Sequence, residues 1–377
     1  MAVWLAMVST VIAGDKPRAR LLGVPFDGNP GPLDAITDVA GVEIGYTTLI
    51  SGEGPLKVGV GPVRTGVTAI LPRGHQDTLE KPVFAAGFSL NGNGEMTGAE
   101  WVEEGGFLEG PVMLTNTHSV GTVRDAVIKW RVAHGAPDAS GYWWSLPVVA
   151  ETYDGYLNDV NGFHVRDEHA FHALDSAAPG PVAEGAVGGG TGMVCYEFKG
   201  GTGTASRRLD AKAGGYTLGV LVQANCGLRR QLTIAGVPVG RDLDLPSGRE
   251  DDLGSIIIVI ATDAPLLPHQ LKRLARRASM GLARTGSVSG NGSGDIFLAF
   301  STANPDAATP EGTARLEMLP NDRMNPLFDA TVQATEEAIV NALVAAEPMT
   351  GRDGHHVPAL SHERLRETLR KYGRLKE

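Results

Sequence analysis

The sequence predicts an α/β protein in which helices cover β-sheets in layers. Short apolar runs alternate with glycine-rich turns along the whole chain, and the run at 255–262 is apolar enough to be buried on both faces. Longer segments carry apolar residues at helical spacing. Strands and helices mix without a strict βαβ rhythm, and no linker or repeat divides the chain. We therefore expect the chain, residues 1–377, to fold as a single domain.

The clearest predicted strand covers residues 255–262. It places the large β-branched residues Ile-Ile-Ile-Val-Ile in a row behind Ser255, as expected for a strand buried on both faces. Shorter apolar runs between turn residues predict further strands at 67–72, 112–115, 218–222 and 296–300.

Helices are expected to be longer and fewer than the strands. Residues 119–134 begin with a capping residue type and carry apolar residues at helical spacing. A second apolar stripe runs over 268–283, and its basic residues fall largely outside that stripe. The third helix, 325–346, has Pro326 in its first turn, where the missing N–H costs little. The polar tail predicts a surface helix near 362–372.

The composition argues against several partners and cofactors. The chain has 377 residues and a net charge of −10, and an acidic chain repels the phosphates of nucleic acids. Cys195 and Cys226 form no CxxC pair, and the ten histidines show no metal-ligand spacing, so we expect neither a metal nor a disulfide framework. The glycine run at 188–193 lacks the ending of a phosphate loop, which favours close backbone packing over nucleotide binding. No cofactor is therefore expected.

No apolar run is long enough to span a bilayer. Residues 1–14 are apolar and end in small residues, but no Lys or Arg precedes them, whereas Lys16 and Arg18 follow. We expect this stretch to be a start extension rather than a signal, and the protein to be cytoplasmic. A working signal would instead make it periplasmic.

The junction between Gly254 and Ser255 allows self-cleavage. On local sequence alone, it is an ordinary loop entering a strand. If the Ser255 hydroxyl attacks the Gly254 carbonyl and the peptide bond breaks, Ser255 becomes a new N-terminus. Its α-amine, with an ordinary pKa of about 7.7–8, can then act as general base. Glycine at 254 tolerates the strained backbone that an acyl shift needs.

Two other turns carry side chains suited to a supporting role. A glycine-rich turn delivers Ser293 and Asp295 just before a strand, and side chains two residues apart share one face of an extended chain. We expect Ser293 to hydrogen-bond the nucleophile and Asp295 to hold or polarise that contact. Asn225 follows the predicted strand at 218–222, and its amide N–H₂ can donate to an oxyanion. Each position alone is explained better by an ordinary turn than by catalysis. His118 precedes a helix, where a capping region explains it better than catalysis.

Taken in order, these motifs resemble those of the DmpA-like family of L-aminopeptidase/D-amidase-esterases and β-peptidyl aminopeptidases. The resemblance covers nearly the whole chain, from about residue 18 to 354. The stretches that carry it are 23–28, 35–39, 91–98, 151–159, 188–193, 198–201, 254–255, 293–295 and 300–304. Such an ordered series is far more specific than any single motif.

The resemblance implies an αββα sandwich of two central β-sheets flanked by helices. This is similar to other N-terminal-nucleophile hydrolases but has different strand connectivity. It implies a precursor that cuts itself into an α chain, 1–254, and a β chain, 255–377, which stay together and assemble as homotetramers. It further implies an aminopeptidase for short peptides, amides or esters with a free amine, acting through a serine acyl-enzyme without a cofactor.

The same resemblance assigns catalytic roles to five residues, which are Ser255, Ser293, Asp295, Asn225 and Tyr153. Ser255 would be the nucleophile, supported by a Ser-x-acid pair whose acid is Glu in some members and the shorter Asp here. Asn225 matches the oxyanion-hole asparagine, and Tyr153 an active-site tyrosine. Glu151 is expected to hold the amine of the substrate.

Two other functional interpretations stay open. A glycine-rich binding or assembly protein on this scaffold would not cut itself, and would run on a denaturing gel as one chain of 39.6 kDa. An enzyme similar to ornithine acetyltransferase also self-processes, but its nucleophile is Thr, and Ser255 argues against it. The choice among L-, D- and β-amino acids, including β-peptidyl aminopeptidase specificity, depends on pocket shape.

Overall fold

The computed structural model describes residues 16–135, 141, 144–243 and 254–376. The predicted start extension, 1–14, lies outside the described residues, as does most of the acidic loop before Gly254. Within the described ranges, no helix has both the length and the apolar character needed to cross a membrane.

Strands and α-helices of the described residues are numbered along the chain. The strands are β1 (Glu43–Ser51), β2 (Val63–Leu71), β3 (Val83–Gly92), β4 (Phe107–Leu108), β5 (Val112–Asn116), β6 (Val148–Thr152), β7 (Val194–Cys195), β8 (Phe198–Lys199), β9 (Gly201–Arg208), β10 (Thr217–Asn225), β11 (Ser255–Thr262), β12 (Gly294–Ser301), β13 (Met349–Thr350) and β14 (His356–Val357). The helices are α1 (Gly74–Asp77), α2 (Ala99–Gly105), α3 (Val120–His134), α4 (Asp167–Asp175), α5 (Val239–Asp242), α6 (Pro268–Arg284), α7 (Asn325–Val344) and α8 (His362–Lys371).

The strands build two mixed sheets and two short hairpins. The first sheet has the order β1-β2-β5-β6, and only its β5–β6 pair is parallel. The second has the order β4-β3-β12-β11-β10-β9, and only its β11–β12 pair is parallel. The register of β11 places Ser255 opposite Asn225 of β10 and Ile256 opposite Asp295 of β12. Three predicted site residues therefore meet at one end of the second sheet.

The sheets and helices stack in four layers. Leu114 of β5 and Val259 of β11 belong to an apolar cluster between the two sheets. Trp130 of α3 packs on the outer face of the first sheet. Leu274 of α6 and Ile339 of α7 pack on the outer face of the second. This arrangement confirms the expected αββα sandwich, in which each sheet buries one face on the other and one face on helices.

The predicted elements are found with small shifts of their ends. Helix α3 starts one residue after Ser119, and α7 ends two residues before the predicted Ala346. Several strands were not predicted, among them β1, β3, β6 and β9, and β9 has no apolar run. It is buried because its small residues let α7 approach: a Cβ at Gly203 would lie 2.0 Å from the Ala338 carbonyl oxygen.

The glycine run at 188–193 packs against neighbouring backbone, which confirms the packing interpretation of this segment. A Cβ on Gly189 would lie 2.8 Å from the Leu114 carbonyl oxygen, and one on Gly190 would lie 2.4 Å from the Thr202 nitrogen. Only glycine can be this close to its surroundings.

Candidate active site

Ser255 is the first residue of β11 and lies between β10 and β12. Its side chain is 5% exposed. Its Oγ accepts a hydrogen bond from the backbone N–H of Gly294, at 3.0 Å. The strand behind it is fully buried, so the hydroxyl is presented from a rigid support.

Gly254 fills a position that has no room for a side chain. A Cβ there would lie 2.0 Å from the Asn225 carbonyl oxygen and 2.8 Å from the Cys226 Cα. Close packing against the end of β10 therefore requires glycine before the nucleophile.

The Asn225 amide is held in one orientation by two backbone groups. Its Oδ1 accepts a hydrogen bond from the Val194 N–H at 2.7 Å, and its Nδ2 donates to the Tyr153 carbonyl at 3.0 Å. Nδ2 carries two hydrogens, and within the described part of the chain the second makes no hydrogen bond. An oriented donor of this kind, on the strand paired with Ser255, suits a developing oxyanion.

Ser293 and Asp295 form the side-chain pair that their spacing predicts. The Ser293 Oγ donates to the Asp295 Oδ1 at 2.6 Å, and both side chains are buried. The shorter Asp side chain therefore still reaches the serine. The structure differs from the expectation that Ser293 bonds the nucleophile directly: Gly294, between the two, supplies the N–H that contacts Ser255.

The two glycine-rich turns, 91–98 and 290–295, lock together beside Ser255. The Asn93 side chain donates to the Gly292 carbonyl at 2.8 Å. A Cβ on Gly294 would lie 2.3 Å from the Asn93 carbonyl oxygen. A Cβ on Gly94 would lie 3.2 Å from the Gly294 Cα and 3.4 Å from the Glu151 Oε1. This close packing of glycines places Glu151, a residue of the first sheet, near the nucleophile.

Glu151 is a buried carboxylate with acceptor capacity left over. It is 4% exposed; its Oε1 accepts from the Glu95 N–H at 3.0 Å, and its Oε2 accepts from the Thr117 hydroxyl. Burial raises the pKa of Glu151, and the hydrogen bonds from Thr117 and Glu95 oppose that rise. A carboxylate has about four lone-pair sites, so it can accept further hydrogen bonds from a bound cation.

Tyr153 contributes a backbone group that the sequence did not indicate. Its carbonyl holds the Asn225 amide, whereas its side chain is 47% exposed and folds over Gly155. A catalytic role for the Tyr153 phenol stays a prediction.

His118 fits the capping-region interpretation. Its backbone N–H donates to the Asn116 Oδ1 at 3.0 Å, and its exposed ring stacks on Phe163 with centroids 6.1 Å apart. The hydrogen bond described for the Ser255 hydroxyl comes from the Gly294 N–H. His118 is therefore not seen in contact with the nucleophile.

Gln223 and Thr117 are two site residues that the sequence did not identify. The Gln223 Nε2 in the second sheet donates to the Thr115 carbonyl and the Thr152 Oγ1 of the first sheet, each at 2.9 Å. The sequence did offer a signal for Gln223, because a polar residue follows the apolar run of β10. The Thr117–Glu151 contact had none, because it joins residues on different strands and loops.

Several carboxylates lie around the site, and they include Glu151, Asp295 and the exposed Glu95. Among the residues that the structure describes, no three His, Cys, Asp or Glu side chains come together as a possible metal site. Carboxylates that line one region attract a cationic ligand.

Comparisons with known proteins agree with this geometry. The model of peptidase family S58 matches residues 34–357. The chain is 54% identical over 385 residues to the β-peptidyl aminopeptidase BapA of Sphingosinicella microcystinivorans, with 98% of this chain and 96% of that protein covered. Its fold is similar to the L-aminopeptidase D-Ala-esterase/amidase of Ochrobactrum anthropi, described as a variant of the Ntn hydrolase fold (TM-score 0.89, 51% identity, 96% and 100% covered). A Burkholderia sp. β-aminopeptidase matches with a TM-score of 0.87 at 49% identity, covering 95% of this chain and 99% of that one.

Proposed function

Because the chain belongs to peptidase family S58 and is a hydrolase of the aminopeptidase type, we propose that it is a self-processed serine aminopeptidase with Ser255 as nucleophile. One observation carries this proposal: a buried serine hydroxyl starts a rigid strand directly opposite the oriented amide of Asn225. Processing would give an α chain of residues 1–254 and a β chain of residues 255–377.

Self-cleavage uses the Ser255 hydroxyl on the preceding peptide. Its oxygen adds to the Gly254 carbonyl carbon, the C–N bond breaks, and the nitrogen takes a proton to become the Ser255 α-amine. The resulting Gly254 ester is then hydrolysed by water, which leaves a carboxylate on Gly254 and frees the hydroxyl. The tight fit of Gly254 against the backbone of Asn225 and Cys226 supports this step, because it holds the scissile peptide in a fixed place.

Turnover then uses the same hydroxyl on an external substrate. The new α-amine has an ordinary pKa of about 7.7–8 and takes the hydroxyl proton as Ser255 attacks the substrate carbonyl. The free N–H of Asn225 stabilises the oxyanion, and the proton passes to the leaving amine. Water attacks the acyl-enzyme and completes the cycle. The Ser293–Asp295 pair supports the Gly294 N–H that contacts the nucleophile.

Glu151 is proposed to bind the free amine of the substrate. Its carboxylate is buried, is oriented by Thr117 and Glu95, and lies beside the glycine turns that pack on Ser255. An ammonium bound there would place the first amide or ester carbonyl near the nucleophile. This geometry explains removal of a single N-terminal residue rather than cleavage inside a chain.

Acceptance of β-amino acids is a second, finer proposal. It is favoured by the 54% identity to a protein named β-peptidyl aminopeptidase. Comparing kcat/KM for the p-nitroanilides of L-Ala, D-Ala and β-Ala tests it directly. A rate for the β-Ala substrate far below that for L-Ala would reject the β-specific assignment while leaving the aminopeptidase assignment intact.

The decisive test of the mechanism pairs two alanine variants. Ser255→Ala removes the hydroxyl needed for both reactions, so it should run as one uncut chain and hydrolyse no L-Ala p-nitroanilide. Losing one hydroxyl here should cost about 1 kcal/mol of stability, so the variant should still fold. His118→Ala should be cut and active, because the α-amine rather than a histidine is the base.

The opposite pattern would support a histidine-based triad. An active uncut chain, or loss of activity in His118→Ala, would reject the proposed mechanism. Sequencing the smaller chain of the wild type should give Ser-Ile-Ile-Ile-Val. Replacing Ser255 by Cys should retain some self-cleavage but hydrolyse amides poorly.

Assembly and compartment are further proposals. The α and β chains should stay together and form a homotetramer, measurable by light scattering on the processed protein. A cytoplasmic location stays a prediction, with a periplasmic one as the alternative, and cell fractionation distinguishes them.

A further inference from the structure

Lys199 is a buried cation held by backbone oxygens. Its side chain is 0% exposed, and its Nζ donates to the carbonyls of Met193 at 2.8 Å, Gly200 at 2.9 Å and Gly190 at 3.4 Å. The salt bridges among the described residues do not include Lys199. Burial lowers the pKa of this ammonium to about 7. A buried charge without an opposite charge is costly, so an apolar side chain would be the simpler choice for packing alone.

Three converging carbonyls match an ammonium in particular. An ammonium is a compact point charge with three donors, and each donor has one acceptor here. The planar fork of arginine does not fit such a cradle, and an apolar side chain would remove one hydrogen bond from each of the three oxygens.

The three carbonyls that hold Lys199, which we call the cradle, include that of Met193, and the next residue, Val194, contacts the Asn225 amide. Lys199 in β8 is paired with Val194 in β7, and the Gly200 N–H donates to the Met193 carbonyl at 3.0 Å. The ammonium therefore ties residues 190–193 to the hairpin formed by β7 and β8. The next N–H along the chain, that of Val194, holds the Asn225 Oδ1 at 2.7 Å.

We propose that Lys199 is a positioning residue for the oxyanion site. Its ammonium fixes the β7–β8 hairpin so that the Val194 N–H keeps the Asn225 amide turned toward the nucleophile. This inference rests on the proposed function of Asn225. Without the ammonium, three carbonyls repel one another in a buried space, and the Val194 N–H loses its fixed place.

A double-mutant cycle on the processed enzyme tests this coupling. The variants are Lys199→Ala, Asn225→Ala and the pair together, assayed for kcat and KM with L-Ala p-nitroanilide. Lys199→Ala should lower kcat at least ~10-fold with KM changed less than ~3-fold, as expected for an interaction made in the transition state. In the Asn225→Ala background, the same change should lower kcat less than ~2-fold, because the group that it positions is already gone.

Chemical rescue supplies a second readout. Ammonium chloride should partly restore kcat to Lys199→Ala, because ammonium can occupy the emptied cradle. Tetramethylammonium chloride at the same ionic strength should not, because it donates no hydrogen bond. The matched control is Leu369→Ala, which removes a buried side chain of α8 without touching the cradle. It should lower the melting temperature but keep kcat and show no ammonium effect.

Several outcomes would overturn the proposal. They are an unchanged kcat in Lys199→Ala, additive losses in the double mutant, or equal rescue by both salts. If Lys199→Ala does not fold, the longer Lys199→Met takes its place in the cycle, and failure of both to fold would mark Lys199 as purely structural. A wild-type protein that hydrolyses no amine-bearing substrate would instead refute the proposed function.

Discussion

Replacing Glu151 by Gln removes one negative charge from the candidate site while keeping its shape. The Gln Oε1 can still accept from the Glu95 N–H, and its Nε2 can donate to the Thr117 Oγ, which then acts as acceptor. The variant should therefore fold and cut itself. What it loses is the attraction between a buried carboxylate and the ammonium of the substrate.

The size of the loss follows from the burial of Glu151. With 4% exposure, water screens its charge little. Two unit charges about 4 Å apart interact by about 4 kcal/mol at an effective dielectric constant of about 20. A tenfold change corresponds to about 1.4 kcal/mol, so kcat/KM should fall by about 10²–10³ if the Gln dipole retains part of the attraction.

The assay compares two substrates on both enzymes. L-Ala p-nitroanilide carries the free amine, and propionyl p-nitroanilide lacks it. Wild type should strongly prefer the first, and Glu151→Gln should lose that preference. In wild type, kcat/KM for the amine substrate should also fall as pH drops through the raised pKa of Glu151, because the protonated carboxyl no longer attracts ammonium. The Gln variant should lack this particular fall.

An equal loss on both substrates would refute this assignment, because it would show a general disturbance of the site. The matched control is Glu95→Gln. Its carboxylate is exposed, and it contacts Glu151 through its backbone N–H, which the substitution keeps. A change of less than about threefold is expected there, since exposed charge pairs contribute little.

Three further predictions concern the nucleophile's neighbours and the pH dependence of stability. Asn225→Ala should keep the fold and lower kcat by ~10²–10³, the usual effect of losing one oxyanion donor; turnover within a few-fold of wild type would make Asn225 a turn residue only. Gly254→Ala should leave more uncut chain on a denaturing gel and destabilise by about 1–3 kcal/mol, because its Cβ would overlap the end of β10. Gly121→Ala, whose Cβ points into open space, should be cut as wild type is. Burial raises the pKa of Glu184 from 4.5 to about 7 even though Arg18 opposes the rise. The folded state thus keeps a proton that the unfolded chain releases, and stability should fall by up to about 3 kcal/mol as pH rises from about 4.5 through 7. Thermal melts of Glu184→Gln should lack that part of the decline, and an identical pH profile would contradict it.

Local patterns predicted the elements that carry most of the core. A row of β-branched residues behind Ser255 predicts a buried strand, and the apolar stripes of α3, α6 and α7 predict helices because side-chain spacing follows the helical period. Strand β9 lacked such a signal. It has small residues, Gly, Thr and Ala, because α7 packs closely against it, and a sequence pattern does not reveal that packing.

For the candidate site too, local sequence predicted some features and tertiary packing decided the others. Sequence order, through the family resemblance, was enough to nominate Ser255, Ser293, Asp295 and Asn225, since each lies at the end of a predicted strand. Their roles in catalysis stay predictions. The Ser293–Asp295 contact was predictable because two residues in extended chain share a face.

The contacts that make a site of these residues depend on register and on the packing of the two sheets. Gly294 reaches Ser255 across 39 positions, Val194 reaches Asn225 across 31, and Thr117 reaches Glu151 across 34. A one-residue slip in a strand would turn every one of its side chains to the other face. The sequence by itself determined which segments become strands and helices and which residues carry reactive groups. Only the tertiary structure decided which backbone N–H orients each group, because hydrogen bonds between distant segments form when the sheets are already aligned.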